Sequence, residues 1–393
     1  MSDVILVINS GSSSIKFSVF NCEKELTLLY HGGIDGIFDS PCLNLFNANH
    51  KQILTQPVSA KGHEAGLNAF FNWFEHLSEP LTLKAVGHRV AHGGMYFLQP
   101  TLMTEEVMKK LASLTPLAPL HQPHNLEAIK IIQKTYPELP QVACFDTTFH
   151  RTQEKLATLF AIPRHFTEEG VIRYGFHGIS YEYIASVMAQ HIGEKANHRV
   201  IAAHLGNGSS MCAMYQGKSV TTSMGFTALD GLMMGTRCGR IDPGVLLYLI
   251  QEKNYSSKQL EHLLYNDSGL LGVSTISHDM RILLASPDPK AKEAVDLFCY
   301  QAALEVGSLS VALGGCDALI FTAGIGEHAV RVRQQICTWL SWLGVKINEK
   351  ANQNNAVMIS ENDSKILVSV IPTNEEYMIV KHTQTVIASR PKT

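Results

Sequence analysis

The sequence predicts a mixed α/β protein built from a duplicated domain, and three observations predict it. An apolar run at residues 4–8 enters the polar loop Asn9-Ser10-Gly11-Ser12-Ser13-Ser14-Ile15-Lys16 and returns as the alternating segment Phe17-Ser18-Val19-Phe20. That is strand, hairpin tip, strand. The pattern recurs in the second half, where the run 200–205 meets Gly206-Asn207-Gly208-Ser209-Ser210 and resumes at Met211, so that Ser13-Ser14-Ile15 superimposes on Ser209-Ser210-Met211. A third glycine loop, Thr322-Ala323-Gly324-Ile325-Gly326-Glu327, follows the apolar strand 318–321 and opens a helix. The simplest arrangement is a duplicated domain whose two hairpin loops face each other across a cleft.

The remaining elements follow from local pattern. Strands are expected at 85–86, 141–145, 199–203, 318–321 and 365–371. A helix is expected over 125–136, with Asn125 as its N-cap and Pro137 stopping it, and a long one over 290–313 ended by Gly314-Gly315. Another follows Glu327, and the last covers about 375–388. Ser286-Pro287-Asp288-Pro289 is a turn, and no low-complexity linker separates domains.

Composition narrows the function classes. With 393 residues, 45% hydrophobic, the chain can bury a substantial core. A net charge of −3 without a basic block argues against nucleic acid or an anionic membrane surface. The eight cysteines contain no C-x-x-C pair and lie mostly in apolar stretches, which implies a reducing compartment and no cysteine metal site. Asp3 and a five-residue apolar run do not make a signal peptide, and no stretch approaches the ~20 apolar residues of a membrane span. A cytoplasmic protein is the expectation.

The loops carry the chemistry. Gly11 allows close backbone approach, the Ser12 and Ser14 hydroxyls can donate to anionic oxygens, and Lys16 adds a point charge, which together suit a phosphate; alone, such a loop also serves as an ordinary Gly/Ser turn. Neither G-x-x-x-x-G-K-[ST] nor a full G-x-G-x-x-G is present, which removes the main support for P-loop and dinucleotide-binding readings.

Six segments in order resemble the acetate kinase family: Asn9–Lys16, Gly87-His88-Arg89-Val90-Ala91-His92-Gly93-Gly94, Phe145-Asp146-Thr147-Thr148-Phe149-His150, Tyr174-Gly175-Phe176-His177-Gly178, His204-Leu205-Gly206-Asn207-Gly208-Ser209-Ser210 and Pro372-Thr373-Asn374-Glu375-Glu376. They span residues 4–380. The family comprises short-chain acyl kinases acting on acetate, propionate or butyrate. The resemblance implies a duplicated ribonuclease H-like domain, as in sugar kinases, actin and the heat-shock chaperone ATPases, and a homodimer. It divides the chain into 1–147 with about 373–393, and 148–372. It also implies reversible, direct in-line transfer of the ATP γ-phosphoryl group to acetate, giving acetyl phosphate and ADP without an obligatory phospho-enzyme. The alternatives are a propionate-preferring kinase and a non-acyl-transferring ATPase of the same fold.

Forming an acyl phosphate brings a carboxylate against a γ-phosphate, two anions that repel. Arg89, and Arg237 in Gly235-Thr236-Arg237-Cys238-Gly239, offer guanidinium forks that neutralise both, although either side chain also suits a plain salt bridge. Asp146 ends a buried strand; the family counts it as catalytic, and a cap or salt-bridge partner is the plainer role. Acetate is already ionised at neutral pH, so a general base has no proton to remove, and Asp146 is assigned to orienting an arginine or the metal's water shell. His177 and His121 match family positions beside the transferring phosphoryl. Mg²⁺, with Mn²⁺ able to substitute, is implied at Asn9 and Glu375. ATP contacts map to Lys16, Ser12 and Ser14, to His204, Leu205, Gly206, Asn207 and Gly208, to Asp279, Met280 and Arg281, and to Gly324, Ile325, Gly326, Glu327 and His328. Asp279 alone reads more simply as a helix-dipole residue.

Three positions depart from the family pattern. Arg240 stands where an Asp is usual, and His328 where the third loop usually ends in Asn. Ala91 replaces a Val common in acetate-preferring members. On an extended segment Ala91 shares a side with Arg89, so it is expected to line the acyl pocket and leave room for about one more carbon, worth roughly 1–3 kcal/mol in discrimination.

Overall fold

A computed structural model describes residues 2–23 and 25–389. They fall into two compact units, Met1–Thr148 with Asn374–Thr393, and Phe149–Thr373.

The first unit is organised on an eight-stranded sheet, ordered β5-β4-β3-β2-β1-β6-β8-β7. Its strands are β1 (Ser2–Ser10), β2 (Ser14–Asn21), β3 (Thr27–Asp35), β4 (Cys42–Asn47), β5 (Gln52–Pro57), β6 (Leu81–Val90), β7 (Thr101–Leu102) and β8 (Gln141–Phe145). The second unit has a five-stranded sheet, β11-β10-β9-β12-β13. It comprises β9 (Arg199–Leu205), β10 (Ser209–Tyr215), β11 (Lys218–Thr222), β12 (Ala318–Thr322) and β13 (Leu367–Val370). The duplication is visible in strand order. In β3-β2-β1-β6-β8 the first two pairings are antiparallel and the last two parallel. The run β11-β10-β9-β12-β13 repeats that sequence of pairings.

Period-two alternation explains why each sheet carries helices on both faces. Along β9, Ile201, Ala203 and Leu205 join the core formed with Val295, Phe298, Ala302 and Val306 of the long helix Pro289–Leu313. Val200 and Ala202 point the other way, to Tyr181, Ile184 and Met188 of the helix Gly178–Ile192. In the first unit, Leu6, Ile8, Ile15 and Phe17 pack against Leu67 and Phe70 of the helix His63–Glu75. The helix Glu375–Ala388 belongs to this unit and lies against β1, β6 and β8. Gly87 makes its close approach possible: a Cβ there would come within 2.3 Å of Thr383 Oγ1 and 2.7 Å of Ile379 Cγ2.

The strand expected at 85–86 is the longer Leu81–Val90, that expected at 365–371 is the shorter Leu367–Val370, and two helices begin earlier than expected. The helix expected from Asn125 runs Gln122–Thr135, because Pro123 starts it and Asn125 lies inside, its amide consumed by long-range hydrogen bonds rather than by capping. The helix expected after Glu327 begins earlier, since Ala323–His328 is already helical, with Val330–Trp339 following. Gly314 ends the long helix in the left-handed region, as the glycine pair predicts. Among the described residues no helix is long and apolar enough to cross a membrane.

Candidate active site

In the first unit the β1–β2 hairpin closes with Asn9 opposite Lys16 and Ser10 opposite Ile15. Its tip turns its carbonyls into the protein. The Ser10 carbonyl accepts from Asn125 Nδ2 at 2.6 Å, Gly11 from His63 Nε2 at 2.8 Å, Ser13 from the Ile37 amide at 3.2 Å and Ser14 from the Gly11 amide at 2.8 Å. An anion is repelled by carbonyl oxygens, so tying them back leaves Ser12, Ser13 and the Lys16 ammonium as the exposed polar groups of the loop.

Beside this loop lies a cluster of three charges. Asp146, 7% exposed, accepts from Arg89 Nε at 3.0 Å and Nη2 at 2.8 Å, a two-point fork, while Arg89 Nη1 reaches Glu375 at 2.9 Å. Burial opposes the Arg89 charge, but the Asp146 and Glu375 carboxylates more than offset it and hold the guanidinium firmly protonated. Glu375 is pushed up to about 7, chiefly by burial, with Asp146 and Glu376 adding repulsion and Arg89 and Lys16 opposing it. Asp146 therefore pairs with an arginine, a contact that fits both its plainer salt-bridge role and its assignment to orienting an arginine.

The segment after β6 is pinned by one helix. Asn125 Oδ1 accepts from the Ala91 amide at 3.0 Å and Gln122 Oε1 from the His92 amide at 3.2 Å, while Gln122 Nε2 donates to the His92 carbonyl. Ala91 is buried, one residue beyond the strand that carries Arg89. His121 stands immediately before that helix, half-buried, its amide on the Ala118 carbonyl at 3.0 Å. Gln122 escaped the sequence reading and Asn125 was read only as a cap, because a buried amide in a helix has no periodic signature. Their i, i+3 spacing on one face was the only trace.

In the second unit the β9–β10 tip repeats the design of the first. The Gly206 carbonyl accepts from Ser209 Oγ at 2.9 Å, Asn207 from the Gly235 amide at 3.0 Å and Gly208 from the Gly206 amide at 3.1 Å. Against it stand His177 and Arg237: a Cβ on Gly208 would lie 2.9 Å from Arg237 Nη2 and 3.3 Å from His177 Nε2. His177 occupies the left-handed region, φ 56°, at the N-cap of the helix Gly178–Ile192 and stacks on His204 with ring centroids 4.2 Å apart. Its Nδ1 meets Ser210 Oγ at 2.8 Å, and Tyr181 Oη meets the same hydroxyl. His204 Nδ1 is bonded to Ser180 Oγ at 2.8 Å. Arg237 Nη1 donates to the Ala228 carbonyl at 2.6 Å.

The third loop is the short helix Ala323–His328, entered through Ala323 at φ 64°. Its Gly326 and Glu327 carbonyls are taken by Nη1 of the fully buried Arg333, at 2.9 and 2.8 Å. Arg333 also bonds Asn352 and Asn355, so one guanidinium fixes the loop. Only an arginine within an otherwise apolar helical stripe signalled it. Asp279 caps the helix Met280–Ala285 through the Arg281 amide at 2.8 Å, and the Arg281 side chain holds its carboxylate at about 2. The plainer helix-terminus reading is thus what its contacts show. Arg240 is accommodated by Glu305, a buried carboxylate 3.0 Å from its Nη2 and otherwise raised by desolvation. His328 is exposed.

A model of the family described as "Acetokinase family" matches residues 4–381. The acetate kinase of Rhodopseudomonas palustris is 50% identical over 389 residues, covering 97% of this chain and 98% of its own. That of Nitrobacter hamburgensis is 49% identical over 395 residues, covering 99% and 97%. Among solved structures, an acetate kinase from Porphyromonas gingivalis superposes with TM-score 0.87 at 34% identity, over 98% of this chain and 100% of its own. A propionate kinase from Francisella tularensis does so with TM-score 0.91 at 37% identity, over the same shares. With the two repeated loops, the Arg89–Asp146–Glu375 cluster and the His177–Arg237 pair all in place, the chain belongs to the acetokinase family.

Proposed function

We propose that this protein catalyses the reversible transfer of the ATP γ-phosphoryl group to acetate. Membership of the family makes it a metal-dependent phosphotransferase with a carboxyl acceptor and ATP/ADP as substrate. The observation that carries the residue assignment is the Arg89 guanidinium, fixed at two points by Asp146 and at a third by Glu375. A guanidinium held this rigidly receives a planar carboxylate without spending side-chain entropy at the moment of binding.

An acetate oxygen attacks the γ-phosphorus as the bond to the ADP oxygen breaks, and no proton need move. Arg89 offsets the acetate charge. In the second unit, Tyr181 Oη and Ser210 Oγ line up behind His177 Nδ1, and we assign the ring proton to Nε2, the nitrogen beside Gly208, where it donates to a phosphoryl oxygen. Arg237 supplies the second positive charge. His121 is assigned to the phosphoryl group on the first unit's side. Lys16, Ser12 and Ser14, the loop 204–208, residues 279–281 and the loop 324–328 take the nucleotide.

The metal is assigned as Mg²⁺. The donors fit a hard cation: the Asn9 amide oxygen and the Glu375 carboxylate are both oxygen ligands. When bound, the ion offsets the charge of the ATP phosphates. Ala91 supports appreciable use of propionate beside acetate. We assign the homodimer contact to the helix Pro243–Gln251, which has no buried side chain and exposes Val245, Leu247, Tyr248 and Ile250. A cytoplasmic location suits the ATP substrate and eight cysteines without a disulfide.

The test is acyl hydroxamate formation from ATP, acetate and hydroxylamine. Arg89→Ala, with its fold checked by circular dichroism because it leaves Asp146 and Glu375 facing each other, and Arg237→Ala should each remove it, and undiminished hydroxamate in both folded variants overturns the assignment. Sedimentation of Leu247→Glu as a monomer would support the dimer surface.

A further inference from the structure

The helix His63–Glu75 begins with a histidine that the proposed chemistry does not use. The His63 side chain is 0% exposed, and its Nε2 lies 2.8 Å from the Gly11 carbonyl. A carbonyl only accepts, so Nε2 carries the ring proton and Nδ1 presents a lone pair. That lone pair faces other acceptors. Glu127 Oε2 is 3.1 Å from His63 Nδ1 and 3.9 Å from His124 Nδ1. Both Nδ1 atoms are buried without a hydrogen-bond partner, and all three donor atoms fall within 4.8 Å of one another.

A second proton on His63 would satisfy one of these atoms and leave His124 Nδ1 orphaned. A cation among the three satisfies all of them. Two donors bonded at about 2.0–2.1 Å to a tetrahedral ion lie roughly 3.3 Å apart, so the His63–Glu127 spacing already fits, and His124 needs to close on Glu127 by about half an ångström and on His63 from within 4.8 Å. His124 and Glu127 are i, i+3 neighbours on one face of the helix Gln122–Thr135, and His63 arrives from a second helix. The Gly11 carbonyl plays the part that metal-bound imidazoles require of their outer partner, fixing tautomer and ring orientation.

We propose that His63 Nδ1, His124 Nδ1 and the Glu127 carboxylate form a binding site for a divalent transition-metal ion of zinc's class, with a remaining coordination position open to water. Two imidazoles and one carboxylate favour Zn²⁺, Co²⁺ or Ni²⁺ over Mg²⁺, so this site is chemically distinct from the oxygen donors Asn9 and Glu375. Glu127 is about half exposed, which gives the ion a way in. Because the same imidazole holds the Gly11 carbonyl back, occupancy stiffens the first phosphate loop. The inference does not depend on the phosphoryl-transfer reading.

The experiment titrates Co²⁺ into metal-free full-length protein in excess Mg²⁺ and follows the visible ligand-field absorption. One equivalent should saturate the band and Zn²⁺ should bleach it. His124→Ala and Glu127→Gln should each weaken binding by at least ~100-fold, while both keep wild-type kinase activity in Mg²⁺. Zn²⁺ should raise the melting temperature of the wild type and leave that of His124→Ala unmoved. The proposal is overturned by no band, by a band retained at full affinity in both variants, or by a sulfur-to-cobalt charge-transfer band that assigns the ion to cysteine.

Discussion

Replacing Asp146 by asparagine preserves side-chain volume and removes one negative charge from the cluster around Arg89. In the native arrangement Asp146 accepts from Arg89 Nε at 3.0 Å and from Nη2 at 2.8 Å. Asparagine offers one acceptor and turns an NH₂ donor toward the other N–H, so at least one charge-assisted hydrogen bond is lost, worth about 1.5–3 kcal/mol. Glu375 then holds the guanidinium alone, through Nη1 at 2.9 Å, and the plane is free to pivot about that contact. A displacement of roughly 1 Å at a positioning group costs ~10²-fold in rate. The expected loss in kcat/KM for acetate is therefore about 10²–10³-fold, or ~3–4 kcal/mol in the barrier. Stability should behave differently. Asp146 and Glu375 repel each other across one arginine, so neutralising Asp146 leaves a balanced pair, and Tm should stay within a few degrees of wild type. The assay is steady-state hydroxamate formation against acetate concentration, with Tm measured on the same preparations. Asp146→Asn within ~3-fold of wild-type kcat/KM would refute the positioning role, and so would a rate loss that merely follows a collapse in Tm.

Other outcomes are equally specific. Ala91→Val should lower the propionate-to-acetate ratio of kcat/KM by roughly 5- to 150-fold, at ~1–3 kcal/mol in discrimination, and an unchanged ratio removes Ala91 from the acyl pocket. Arg333→Ala should raise the KM for ATP and cost about 2–4 kcal/mol in urea unfolding, since it strands the Gly326 and Glu327 carbonyls and both asparagines in a buried setting. Burial holds both His88 and His150 near pKa 4 although each donates to an oxygen, Gln141 Oε1 and the Phe176 carbonyl respectively. The unfolded chain takes up those protons from about pH 6.5 downward while the folded chain refuses them until about pH 4, so stability is full above 6.5 and falls through this window by about 3 kcal/mol per histidine. Equilibrium unfolding of His88→Asn and His150→Asn should show a shallower acid limb than wild type.

The central strands, the two hairpin tips and the helices near 290–313 and 375–388 were legible because apolar period and glycine placement are written locally, whereas the strands Thr27–Asp35, Cys42–Asn47 and Gln52–Pro57 and the helices His63–Glu75 and Gly178–Ile192 went unread. The 290–313 helix, for instance, needed only its pattern and Gly314. Asn125 was misread as a cap because Asn is the commonest capping signal, and nothing local reveals that its amide reaches Ser10 and Ala91. Arg333 was passed over for a related reason: its partners, Asn352 and Asn355, lie in a different segment. The fit of Arg240 to Glu305 needed the fold, since 65 residues separate them. What sequence supplies poorly is the buried polar partner distant along the chain, and those partners are what hold each loop's carbonyls away from its mouth.

The helix Glu375–Ala388 sets an order in time as well as in space. On a chain made from its amino terminus, Arg89 and Asp146 are both synthesised, and able to pair, long before Glu375. The third charge arrives only after the whole of the second unit has emerged, when the final helix returns to close against β1, β6 and β8. A nascent or prematurely terminated chain therefore holds nucleotide loops and a neutral Arg89–Asp146 pair, yet lacks the carboxylate assigned to the metal. On the proposed assignment, such a chain should bind ATP without turning it over, and competence for transfer would await the final helix.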